Sequence, residues 1–177
     1  MRFFWLLLLA PVFGCSSSAR PFEGNEAVEN LKAQAAKVEH AMINEDHQQM
    51  ADLTHPILLD HFGGRAGYIR ELERTAADLR QQGLRFHAFS FGSISEIFES
   101  AGELYAIYAY TLELTGPKAE PASQPSYLVC TSSDGGAGWK FLDGAGVGTD
   151  RRKLTRLLPG FPTELALPDL RPLVVYR

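Results

Sequence analysis

Five side chains have the types and spacing to support acid–base chemistry. Tyr108 and Tyr110 stand two apart on the clearest strand pattern of the chain, so both rings fall on one face. His87 lies on an earlier strand pattern, Tyr68 on a helical stretch, and Trp139 at the head of the last strong strand. Proton transfer beside a developing oxyanion needs a carboxylate or His inside a pocket, with a Tyr or a second acid opposite. The face that carries Tyr108 and Tyr110 also carries Leu104, Ala106, Leu112 and Leu114. Rings that fill a core while their hydroxyls reach a polar edge are the commoner arrangement. These five residues are therefore candidates for lining a pocket, and no catalytic residue is named.

The other reactive side chains do not assemble a site. His40, His47, His55 and His61 fall in one stretch, but none forms a His-Glu-x-x-His pair. A zinc site needs three or four convergent ligands, so capping and surface roles are expected and no metal. Gly135, Gly136 and Gly138, and then Gly144, Gly146 and Gly148, are not placed between a parallel strand and a helix start. A dinucleotide cofactor is not expected. Ser16, Ser17 and Ser18 lack the Gly-x-Ser-x-Gly setting of a nucleophile. Arg151, Arg152, Lys153 and Arg156 form the one basic cluster. It reads either as a contact for anionic lipid or an acidic partner, or as the solvated face of a short helix, the commoner case. The net charge of −4 is unsuited to general nucleic-acid binding, which needs clustered positive charge.

The elements that must position these residues follow from periodicity. With 45% hydrophobic and 21% charged residues, the 177-residue chain has the composition of a globular protein with one real core. Val28, Leu31, Ala35, Val38 and Met42 form one helical stripe behind Asn25 as a cap. Asp46 caps a second short helix through Leu53, stopped near Pro56. His61 to Gly64 reads as a loop. A third helix covers residues 66–82 and ends at Gly83. The period then changes to two. Strands are expected at 85–91, 94–99, 103–115, 126–132 and 139–143, with a polar loop at 116–125. Helices followed by an antiparallel meander predict an α+β fold, with the helices on one face of the sheet. A short helix at 150–158, a run of prolines and an edge strand at 173–176 complete a separate Pro-rich extension, residues 145–177.

The first residues have a different character. Arg2 is followed by an unbroken apolar run from Phe3 to Phe13. A basic start, an apolar stretch and small residues at a cut are the layout of a secretory signal. The run is shorter than the roughly 20 residues that span a bilayer. The alternative is a buried N-terminal helix, but no polar residue interrupts the run to give it two faces. Val12-Phe13-Gly14-Cys15 resembles the lipobox of bacterial lipoproteins, with Phe13 standing where a small residue is usual. The resemblance implies cleavage after residue 14, lipid on Cys15, a location in the bacterial cell envelope and a membrane as partner. Residues 15–24 then form a tether, beginning with three serines. Cys130 would remain a buried thiol, and the rival pairing is a Cys15–Cys130 disulfide in an oxidising compartment.

Residues 25–144 resemble the nuclear-transport-factor-2-like, or SnoaL-like, cone domains. The likeness rests on the final hairpin, Tyr127-Leu128-Val129-Cys130, a Gly-rich turn and Gly138-Trp139-Lys140-Phe141-Leu142-Asp143-Gly144, and on the paired helices around Asn44-Glu45-Asp46. It implies a cone-shaped pocket between a curved sheet and helices, and a homodimer formed through the open sheet face. It does not choose a function. The expectation is a non-catalytic module for a small apolar ligand or a protein. The alternatives are a cofactor-independent enzyme of isomerase or dehydratase type, and an assembly factor that binds through the Pro-rich end.

Overall fold

The computed structural model describes residues 18–116, 118, 120–144 and 148–170, together with the backbone of Val174–Val175. The expected signal, Cys15 and the lipobox-like residues 12–15 lie outside the described residues. In chain order the elements are β1 (Arg20–Pro21), α1 (Asn25–Ile43), α2 (His47–Leu53), α3 (Pro56–His61), α4 (Arg65–Gln81), β2 (Arg85–Ile94), β3 (Phe98–Ser100), β4 (Glu103–Thr115), β5 (Pro121–Ser132), β6 (Lys140–Asp143), α5 (Arg151–Leu157) and β7 (Val174–Val175). The fold is α+β, with the helices packed on an open antiparallel sheet.

The sheet runs β1-β3-β4-β5-β6, with β2 also pairing β4 and β7 also pairing β5. Its long axis is the β4–β5 ladder, from Leu104 opposite Ser132 to Thr115 opposite Pro121. β3 covers one end of the free edge of β4 and β2 the other. Register shifts between Phe86 and Ala88 and between Phe91 and Ile94 put irregularities into β2. Extra residues of this kind bend a strand and increase its twist, which curves the sheet.

The curved face takes the helices. Ala27, Leu31, Ala35, Val38 and Ala41 form the buried stripe of α1, packed with Leu104, Ala106, Tyr108, Tyr110, Leu128, Cys130 and Phe141 from the sheet. The stripe is turned slightly from the expected one, because alanines let the helix approach the strands closely while Val28 and Met42 flank it. Asn30 and Gln34 hold the β5–β6 turn. Asn30 Nδ2 donates to the Gly136 carbonyl at 3.0 Å, Gln34 Nε2 donates to the Ala137 carbonyl at 3.0 Å, and Gln34 Oε1 accepts from Trp139 N at 2.9 Å. Gly136 sits at φ +93°, and a Cβ there would lie 2.3 Å from that of Ala27, so only glycine fits against the helix.

Three local expectations change. Pro56 does not simply stop a helix but opens α3, with His55 Nδ1 accepting from Ile57 N at 3.1 Å. The strands expected at 85–91 and 94–99 are instead one strand to Ile94 and the short β3. The second half of the loop expected at 116–125 is strand, because β5 begins at Pro121. Prolines are tolerated there because this end of β5 has little second-neighbour pairing beyond the two residues of β7.

Two domain boundaries also change. The tether does not extend to residue 24. Arg20–Pro21 pairs with Phe98–Glu99, Arg20 forms an ion pair with Glu99 at 2.8 Å, and Phe22 N donates to the Ile97 carbonyl at 2.8 Å. The C-terminal segment is not a detached extension. Leu154, Leu158, Phe161 and Leu165 are buried against Phe98, Tyr105, Ile107, Tyr127, Val129 and Leu142, forming a second core on the face opposite the helices. The strand residues alternate strictly between the two cores, so β4 and β5 are covered on both sides.

Candidate functional site

The helix side of the sheet contains an open cavity of about 500 Å3. Its walls are apolar: Met42 and Ile43 from α1, Met50 from α2, Leu72, Ala76 and Leu79 from α4, and Leu84 and Phe86 entering β2. The volume lies within the range of roughly 300–1,000 Å3 usual for small-molecule sites. A smaller recess of about 40 Å3 lies beside it, among Val38, Leu53, Thr54, Leu128 and Phe141. Met42, Met50 and Asp143 line both spaces.

Asp143 is the carboxylate shared by the two spaces. It ends β6 opposite Leu128, two residues beyond Phe141, which places it on the helix-side face. The Tyr110 hydroxyl donates to Asp143 Oδ1 at 3.0 Å, and the Ser126 hydroxyl donates to the same oxygen at 3.3 Å. Burial, and then the Asp143 charge, push the Tyr110 phenol well above its ordinary range. Both hydroxyls thus converge on one oxygen of this carboxylate. Beyond it, Thr54 Oγ1 bridges the Met50 carbonyl at 2.7 Å and the Tyr68 hydroxyl at 3.2 Å.

The rim is charged. Glu45 has a positive φ of 52° in the α1–α2 turn and pairs with Arg80 of α4 at 2.6 Å. This pair joins two walls of the cavity. His47 and the exposed Arg85 complete the rim, beside Ile43, the one exposed large hydrophobic side chain among the described residues.

The five candidate residues are dispersed. Tyr110 reaches the cavity through Asp143. Tyr108 is buried against the Phe91 ring at 4.7 Å and packs in the core, away from the cavity lining. Tyr68 is buried on α4, near the Phe62 ring and bonded to Thr54. Trp139 is a core residue whose Nε1 donates to the Gly136 carbonyl at 3.2 Å. His87 falls at the β2 register shift and is exposed. It lines a shallow groove with Thr111, Glu113 and Ser123 at the far end of the sheet. Sequence reasoning missed Asp143 as a site residue, although strand alternation from Phe141 placed it on the tyrosine face. It also missed Met42, Met50 and the wall of α4, which only the packing of helices on the sheet brings together.

Cys130 is a free, fully buried thiol in the helix-side core, and burial pushes it far above the ordinary thiol range. No group of three or more His, Cys, Asp or Glu residues suited to a metal occurs among the described residues, and His55 serves as a helix cap. No helix among the described residues is long and apolar enough to cross a membrane. Comparison of the chain with protein-family models, curated proteins and solved structures gave no match.

Proposed function

We propose that this chain is an exported, lipid-anchored protein of the bacterial cell envelope, whose SnoaL-like cone domain binds a small, mainly apolar ligand without transforming it. The observation that carries the reading is the open cavity of about 500 Å3, walled largely by methionine and aliphatic side chains, with Asp143 as the carboxylate it shares with the smaller recess. Such a site supplies apolar contact along its length and one polar anchor that fixes orientation. Methionines suit a ligand of irregular shape, because the thioether chain adapts its packing. The N-terminal signal and Cys15 support the anchor.

The test is binding of a neutral fluorescent naphthylamine to the purified full chain. The probe should bind, and Ala76→Trp, which fills the cavity from α4, should abolish the signal while circular dichroism is unchanged. Absence of binding, or binding unaffected by the tryptophan, would overturn the reading.

One observation favours a second reading, a cofactor-independent acid–base enzyme: a carboxylate inside the cone faces Tyr110. Binding is preferred because Asp143 already accepts hydrogen bonds from two hydroxyls and the single Tyr110 hydroxyl proton is committed to it. Deuterium exchange of the α-protons of a cyclic ketone, lost in Asp143→Asn, would establish the enzyme instead.

A further inference from the structure

We propose that the exposed face of α5, formed by Arg152, Lys153 and Arg156, docks on the anionic lipid surface to which the chain is anchored. The proposal rests on the lipid-anchor reading of Cys15. Three observations support it. The first is helical geometry. With about 100° per residue, Arg152, Lys153 and Arg156 fall within one arc of about 100°, opposite the buried Leu154 and Leu158. Packing of the leucines on the sheet therefore puts these three residues on the side of α5 opposite the core, and all three are exposed. Arg151 is not part of this face. Its guanidinium lies 5.5 Å from the centre of the Phe161 ring and donates to the Pro162 carbonyl at 2.9 Å.

The second observation is charge. The chain is acidic overall, and Arg20, Lys32, Arg65, Arg74 and Arg80 are each paired with a carboxylate. No ion pair holds Arg152 or Arg156 among the described residues. Arg152 and Arg156 thus place two positive charges without an ion pair on one exposed side of α5.

The third is the place and length of the leash. Ala19 packs on the same second core as α5, on the sheet face opposite the cavity. Docking of β1 leaves only residues 16–18 between Cys15 and Ala19, a reach of at most about 14 Å. A lipid on Cys15 therefore holds this side of the domain at the membrane surface. Juxtamembrane cations contribute about 1 kcal/mol each against anionic lipid, or about fivefold in the docked population per residue.

The experiment uses the full lipidated chain in vesicles of phosphatidylcholine alone or with phosphatidylglycerol, followed by amide hydrogen exchange. Exchange at residues 151–157 should be several-fold slower on the anionic vesicles. The slowing should disappear in the triple variant Arg152→Gln, Lys153→Gln, Arg156→Gln and in high salt, while α1 exchange stays constant and reports an intact fold. Equal α5 exchange on both lipids, with the protein still vesicle-bound, overturns the docking face alone. Failure to associate with either vesicle overturns the anchor reading and the proposal with it.

Discussion

Replacing Asp143 by Asn keeps the shape of the side chain and removes its charge. The amide oxygen can still accept from Tyr110 and Ser126, so urea midpoints should move by no more than about 1 kcal/mol. Tyr110→Phe instead removes a donor from a partly buried carboxylate and should cost about 1–3 kcal/mol in the same measurement. The buried phenols give the protein an alkaline limit. Tyr68, Tyr105, Tyr108, Tyr110 and Tyr127 are all raised from 10.0, chiefly by burial. In the unfolded chain they ionise near pH 10.0 while the folded protein keeps them neutral. Their contribution is complete below that pH and is lost as the pH rises above it. Urea midpoints measured upward from pH 9 should fall above pH 10, and more gently in Tyr110→Phe. His55 works at the opposite end. Burial lowers it from 6.5, so its contribution is present above pH 6.5 and fades as the pH falls through its lower folded value. The tyrosine pair was legible from alternation alone. The carboxylate that Tyr110 serves was not singled out, because Asp143 stands at the very end of a short strand and only the β5–β6 pairing brings it to Tyr110.

Among the elements, the β5–β6 turn and the C-terminal segment carry the clearest consequences. Gly136→Ala places a methyl group against Ala27 in a left-handed backbone position and should destabilise by about 2–3 kcal/mol in thermal unfolding. Gln34→Ala, which removes two bonds from α1 to the same turn, should cost about 1–2 kcal/mol. Phe161→Ala opens a hole in the second core and should cost about 3 kcal/mol or more, a loss that a detached extension would not show. Helices α1 and α4 and strand β4 were readable because each has a long, regular period. The far end of β5 was not, because Pro121 and Pro125 give the signal of a loop, and only pairing with β4 makes a strand of it. The place of the C-terminal segment was equally hidden. Leu154, Leu158, Phe161 and Leu165 follow no single period, since helix and irregular chain share one buried side.

At the scale of the molecule, one sheet separates two cores. The α+β class could be read from the order of helices before strands. The double coverage of β4 and β5 could not, because alternation suggests one core face and one open face unless a later segment is known to return. That segment removes much of the sheet surface from any pairing of two copies, leaving the distal groove around His87 and Thr111 exposed. The division also sets where a ligand comes from. The cavity is on the helix side, whereas Ala19 and α5 are on the other. On an anchored molecule the short leash turns the mouth toward the aqueous space and away from the acyl chains. The proposed apolar ligand would then not enter from the side of the sheet that carries Ala19 and α5. Under the proposed anchor it would arrive dissolved, or be handed over by another carrier, so that the protein gathers from the water rather than extracts from the membrane.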